Sequence, residues 1–192
     1  MGTIALTSHG AGIMTLPLLS RTRCAELLRS LDEHGAWNRD HPKTRYMGGT
    51  NDGAEIISPV NFPPDAPGAP WREFEGLLND SVRPLLAEHG HHLPHHRHHQ
   101  LLRYEPGANG YVHKDTDADP TGFRRYTVLV YLNDNMLGGH TYFPTQDVLI
   151  KPEAGMALLF PSALDHAGTK VHTGIKYAYA AFLGRNSTET NA

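Results

Sequence analysis

The chain has 192 residues, 39% of them hydrophobic and 19% charged, with a formal net charge of -3. That length fits one domain with a real core and leaves a second full domain cramped, and a charge so near zero, with no basic run interleaved with aromatics, excludes nucleic acid as the expected partner. The single cysteine, Cys24, excludes an internal disulfide and a cysteine-based zinc site.

An arm over residues 1–12 leads into a short strand from Ile13 to Leu18, with Pro17 marking its edge or end. Ser20 is the N-cap of a helix over Arg21 to His34, with Leu27, Leu28 and Leu31 on one face and Gly35 as its stop. Cys24 falls within that apolar pattern and reads as a buried core thiol. Residues 37–60 are irregular, with Ile56-Ile57 the best strand fragment, and 63–70 form a proline-rich rigid loop. A second helix over Trp71 to His89 places Trp71, Phe74, Leu77, Leu78, Val82, Leu85 and Leu86 at helical spacing, with a kink or break expected at Pro84.

From Gln100 the texture changes to short strands: 101–104, 126–132, 141–143, 148–150, 157–160 and 177–183, separated by turn-rich segments. Strands in that number after two helices predict a mainly β fold with flanking helices, a jelly roll or cupin-like double-stranded β-helix. The single domain then divides into the arm, a supporting region 13–99, a β-helix core 100–184 and a polar, frayed tail 185–192. No leader-like N-terminus and no apolar run near the roughly eighteen residues of a membrane span is found, so no membrane and a cytoplasmic location are expected.

His113 and Asp115 lie two apart, so on a strand both side chains face one side, and His166 follows from a separate segment. Two imidazoles and one carboxylate are the ligands of a non-haem Fe(II) centre that keeps about half of its coordination shell open. A cationic side chain further along, Lys176, can hold a dicarboxylate co-substrate on such a metal.

Arg103-Tyr104-Glu105-Pro106-Gly107, His113-Lys114-Asp115, the run 124–133 (RRYTVLVYLN), 138–144 (GGHTYFP), 152–160 (PEAGMALLF), His166-Ala167-Gly168 and Gly174-Ile175-Lys176 stand in one order and spacing. With these, the chain resembles the Fe(II)/2-oxoglutarate-dependent dioxygenases, within them the prolyl-4-hydroxylase-like branch. The resemblance runs from about Leu101 to Leu183, with a weaker echo over 13–31. It implies Fe(II) held by His113, Asp115 and His166, and 2-oxoglutarate and O2 as co-substrates. It also implies that Lys176, ten residues after His166, pairs with the C5 carboxylate of 2-oxoglutarate, with Tyr104 and Tyr131 as phenol donors and Thr127 as a helper. That spacing selects His166 over His172 as the distal ligand. Asp115, where halogenating relatives carry a small residue, implies hydroxylation. Gly138-Gly139 matches the family's tight turn.

Tyr111, Arg124 and His140 are candidate substrate contacts, His140 standing where many relatives carry an acidic residue or threonine. Residues 47–60 and a mobile lip over 116–123 are expected to set substrate choice. The preferred substrate is a small molecule or free amino acid, since no peptide-binding extension is evident; a prolyl or peptidyl hydroxylase of the same mechanism is the alternative. A cupin-like iron oxygenase without 2-oxoglutarate is a further reading, opposed by Lys176 and the tyrosines. The tract from His89 to His99 holds seven of the fourteen histidines. It reads first as a solvated loop and second as a secondary metal-binding segment, the basis of a non-catalytic alternative; no carboxylate accompanies it in sequence. The repeated aspartates of 115–119 fail as a calcium loop, because Pro120 and Tyr126 replace the required glycine and glutamate. Oligomeric state leaves no mark on the sequence.

Overall fold

The computed structural model describes residues 6–34, 37, 54–57 and 70–186. The elements before the barrel strands are β1 (Thr7–Ser8), β2 (Met14–Pro17), α1 (Arg21–His34), β3 (Ala54–Ile57), α2 (Trp71–Leu77) and α3 (Arg83–Glu88). Then come β4 (His95–Tyr104), β5 (Arg124–Tyr131), β6 (Leu137–Gly138), β7 (Thr141–Phe143), β8 (Val148–Ile150), β9 (Met156–Pro161), β10 (Ala167–Gly168), β11 (Val171–Thr173) and β12 (Lys176–Gly184). Seven strands form one sheet in the order β1-β2-β9-β5-β12-β4-β3, with β10-β7-β8 and β11-β6 as smaller sheets. This is the mainly β, double-stranded β-helix architecture with helices on one side; the sheets do not close into a barrel.

The period of two along the central strands sorts side chains between two cores. Val128 and Val130 of β5, Ala157 and Leu159 of β9, and Tyr179, Ala181 and Leu183 of β12 pack against Leu27 and Leu31 of α1 and Trp71 and Phe74 of α2. Tyr131, Leu158 and Phe160 turn the other way, onto Phe143 and Ile150 of the small sheet. The inner face therefore carries Thr127, Leu129, Ala180, Phe182 and Lys176, all lining one cavity.

Ser20 caps α1 as expected, its Oγ accepting the Arg23 backbone N–H at 3.1 Å. Cys24 is buried, and burial pushes its thiol up to about 11, which leaves it a packing residue. Pro84 does not break the second helix. A π-helical turn over Leu78–Val82 absorbs it, with the Arg83 N–H reaching back to the Leu78 carbonyl, and Pro84 enters the first turn of α3, where its fixed φ suits the helix.

Three expectations need correction. His95–His99 are not a loop but the first half of β4, paired with β12. Arg185 is not frayed, since its Nε donates to the His92 carbonyl at 2.7 Å. The 116–123 lip is tied down: Asp119 accepts from the Thr121 hydroxyl at 2.6 Å and the Arg124 N–H at 2.7 Å, and Phe123 is buried beneath Arg97. The predicted 63–70 loop, apart from Pro70, the Gly35 stop, the end of the tail and most of the 47–60 segment lie outside the described residues. Ile56-Ile57 falls in β3 as predicted. Among the described residues no helix is long and apolar enough to cross a membrane.

Candidate active site

His113 and His166 meet through a single antiparallel bridge: the His113 N–H donates to the His166 carbonyl at 3.0 Å and the His166 N–H returns to the His113 carbonyl at 2.9 Å. This two-bond clasp joins segments more than fifty residues apart and sets their imidazoles side by side, tilted by 48° with centroids 4.4 Å apart. His113 occupies only this bridge, not the longer strand expected, and Asp115 opens a 3-10 turn, Asp115–Ala118. Lys114 between them is extended, which still brings the carboxylate round to the imidazoles.

The ring nitrogens are assigned by their partners. His113 Nδ1 lies 2.9 Å from the Tyr111 carbonyl and His166 Nδ1 lies 3.0 Å from the Leu164 carbonyl. A carbonyl only accepts, so each Nδ1 carries the proton and each Nε2 presents a lone pair. Those two Nε2 atoms face Asp115, at 3.7 Å from Oδ1 for His113 and 3.6 Å from Oδ2 for His166. Such separations are too long for hydrogen bonds, and they suit three ligands converging on one cation with bonds of about 2.1 Å. All three ligand atoms lie within 4.8 Å of one another. Divalent first-row metals with open coordination positions take this donor set.

Burial acts first on every ionisable group here. It would raise the Asp115 pKa, but His113, His166 and the Thr127 hydroxyl outweigh it, so the carboxyl titrates below its ordinary range. Burial lowers the His166 pKa in spite of Asp115, keeping that imidazole in the neutral ligand form. At His113 the Asp115 carboxylate and the Tyr111 carbonyl overcome burial, and the pKa rises.

Thr127 lines the cavity, but its hydroxyl donates to Asp115 Oδ2 at 2.6 Å and meets Ser162 Oγ at 3.0 Å. It orients the carboxylate, a different task from the co-substrate contact expected of it. Arg124 is not among the residues lining the cavity: Nη1 donates to the Asp115 carbonyl at 2.7 Å and the guanidinium lies 3.9 Å over the Phe182 ring. His140 is absent from the cavity wall; its backbone exchanges hydrogen bonds with Thr169. Tyr111 is 41% exposed beside Val112 at 52%, with its ring 5.3 Å from that of His113, so it stands at the mouth. His172 is exposed on β11, away from the cluster.

Lys176 is the other pole of the cavity. The side chain is 5% exposed, Nζ lies 5.4 Å from the Tyr104 ring centre and 5.2 Å from that of Tyr131, and no anion or hydrogen-bond acceptor pairs with it among the described residues. Desolvation alone brings its pKa down to about 8. The Tyr131 hydroxyl is engaged with Thr141 Oγ1 at 2.6 Å, while burial pushes the Tyr104 phenol up to about 12. The turn Gly138-Gly139 sits beside this pole with φ of +84° and +68°; a Cβ on Gly138 would stand 2.0 Å from the Lys170 carbonyl oxygen.

The cavity measures about 120 Å³ and is also walled by Gln100, Asn109, Thr141 and Thr169, which the sequence reading did not single out. Thr141 could have been found, since period two from the inward Phe143 points it to the same side. Asn109 sits in an irregular segment with no pattern to betray it.

Residues 99–184 match the profile of the 2OG-Fe(II) oxygenase superfamily. Prolyl 4-hydroxylase 1 of Arabidopsis thaliana is 32% identical over 116 residues, 46% of this chain and 41% of that protein. The chain thus spans about two-fifths of the length of that curated relative. The viral collagen prolyl hydroxylase of Paramecium Bursaria Chlorella virus-1, solved with 2OG, superposes with a TM-score of 0.66 at 24% identity, over 91% of this chain and 96% of the viral one. The prolyl hydroxylase of Trichoplax adhaerens, in complex with a hypoxia inducible factor peptide fragment, gives 0.67 at 21% identity over 91% and 84%. At these identities the superpositions establish the fold.

Proposed function

We propose that this chain, whose residues 99–184 match the 2OG-Fe(II) oxygenase profile, is a member of that superfamily and an Fe(II)- and 2-oxoglutarate-dependent hydroxylase acting on prolyl residues of a peptide. The observation that carries the mechanism is the buried, unpartnered ammonium of Lys176 in the same cavity as the His113–Asp115–His166 cluster. A cation taken out of water without a counter-charge is unfavourable, so the site favours a ligand carrying an anionic group.

In this reading His113, Asp115 and His166 hold Fe(II), with Thr127, Ser162 and the Tyr111 and Leu164 carbonyls fixing their orientation. Lys176, with Tyr104 and Tyr131 beside it, would pair with the distal carboxylate of 2-oxoglutarate. When bound, Fe(II), 2-oxoglutarate and O2 supply the oxidant: one oxygen atom enters the substrate C–H bond, the other ends in succinate, and CO2 is released. The inner wall of Leu129, Phe160, Ala180 and Phe182 excludes water from the reacting centre.

A cavity of about 120 Å³ leaves a larger substrate to approach from outside. The exposed Tyr111 and Val112 at the mouth offer it an apolar rim. This supports the peptide alternative over the small-molecule preference of the sequence reading, as do the names of the Arabidopsis and Trichoplax relatives. Succinate release is to be measured with Fe(II), 2-oxoglutarate and either prolyl peptides or free amino acids. Stimulation by peptides with a gain of 16 mass units on proline is expected; stimulation by free amino acids alone overturns the peptide assignment.

A further inference from the structure

We infer that Glu75, His96 and His99 form a second transition-metal site of the Zn(II) type, which clips α2 to the sheet on the face opposite the cavity. The three residues come from the long helical segment and from the histidine tract, and their ligand atoms lie within 4.8 Å of one another. Glu75 supplies the carboxylate that the tract lacks in sequence, and among the described residues its side chain makes no hydrogen bond or ion pair.

The backbone of β4 is built to bring the two imidazoles together. In a regular strand residues three apart point to opposite faces, so His96 and His99 would diverge. Here the ladder with β12 shifts: Ala180 opposes Gln100, but Phe182 opposes Arg97, so β4 carries one residue more than its partner. That bulge centres on His98, which takes a φ of +58°, an unusual left-handed value outside glycine. Past the bulge the faces exchange. His96 lies opposite Leu183, whose side chain is in the helix-facing core, and so joins His99 beneath α2.

The resulting contacts are those of ligands without their ion. His96 Nδ1 and His99 Nε2 stand 2.9 Å apart, within hydrogen-bond reach of each other and a few tenths of an ångström short of the roughly 3.3 Å that separates two nitrogens on one tetrahedral cation, so the rings need part only slightly to admit one. His99 Nδ1 lies 2.6 Å from the Tyr179 hydroxyl, and Tyr179 is itself held by stacking on Phe74, ring centres 3.9 Å apart. In the tautomer that donates from Nδ1 to this phenol, Nε2 turns its lone pair to His96 and Glu75, the outer-shell arrangement of metal-bound histidines. Two nitrogens and one carboxylate suit Zn(II), with a fourth position left to water.

The test is Zn(II) binding to chelator-stripped protein, by calorimetry with metal-to-protein ratios after gel filtration. The wild type is expected to bind one equivalent more than Glu75→Gln, while His113→Ala/Asp115→Ala retains the Glu75 site and loses the other. Tyr179→Phe, which deletes only the phenol behind His99, should weaken the Glu75 site about 10-fold. Zn(II) should also raise the melting temperature of the triad variant and leave that of the same variant carrying Glu75→Gln unchanged. Equal stoichiometry in wild type and Glu75→Gln, or no melting shift in the triad variant, overturns the site and leaves His96 and His99 as a hydrogen-bonded pair beside Glu75.

Discussion

Replacing Lys176 by Met should make the protein more stable and less able to bind 2-oxoglutarate. Methionine keeps the length and apolar stem of lysine but removes the buried charge. A fall in pKa from 10.5 to about 8, caused by desolvation alone, corresponds to as much as about 3 kcal/mol held against the fold at neutral pH. The sign follows from proton counts: between pH 8 and 10.5 the unfolded chain binds more protons than the folded one, so ligand-free stability climbs through that window. Below it the penalty is complete. Lys176→Met should therefore melt on the order of 5 °C or more above wild type at pH 7 without ligand, and this gain should shrink as the pH climbs from 8 to 10.5. The same change removes a charge-assisted contact worth about 1.5–3 kcal/mol, so half-saturation by 2-oxoglutarate should rise about 10- to 100-fold. In the wild type that affinity should itself weaken as pH rises above 8, where the ammonium is lost. Differential scanning fluorimetry with and without 2-oxoglutarate, alongside ligand titration, measures both. A Lys176→Met protein less stable than wild type without ligand, or one binding 2-oxoglutarate as well, would refute the reasoning.

Thr127→Val keeps the shape of the buried side chain and deletes the hydroxyl on Asp115; Fe(II) affinity should fall about 10- to 100-fold with little change in the 2-oxoglutarate requirement, read by metal titration. Arg124→Gln loses the bond to the Asp115 carbonyl, so it should weaken metal retention while leaving the substrate KM at saturating iron near wild type. A selective rise in KM would restore Arg124 as a substrate contact. Gly138→Ala forces a Cβ against the Lys170 carbonyl at a positive φ and should lower stability by at least about 2 kcal/mol in urea denaturation.

β5 and β12 were legible as strands because each is a long run of β-branched, aromatic and small apolar residues bounded by turn-rich segments. The helix start at Ser20 and the turn at Gly138-Gly139 were legible because capping and positive φ restrict the residue type. β1, β6, β10 and β11 were not, since two or three residues hold no period. The histidine tract misled for another reason. Polar histidines on a bulged strand imitate a loop, and the inserted residue at His98 destroys the alternation that would have identified β4. The cluster His113–Asp115–His166 could be drawn from sequence, whereas the tasks of Thr127 and Arg124 could not. Both depend on which oxygen of Asp115 each reaches, a matter of three-dimensional distance. Glu75 escaped notice for the same cause, being separated from His96 by twenty residues and joined to it only through packing of α2 on the sheet.

The central claim is most directly tested by Fe(II)-dependent conversion of 2-oxoglutarate to succinate in wild type, His166→Ala and His172→Ala. Turnover that is present in wild type and His172→Ala and abolished in His166→Ala is the predicted result. Turnover surviving in His166→Ala, or lost in His172→Ala with the protein still folded, would contradict it.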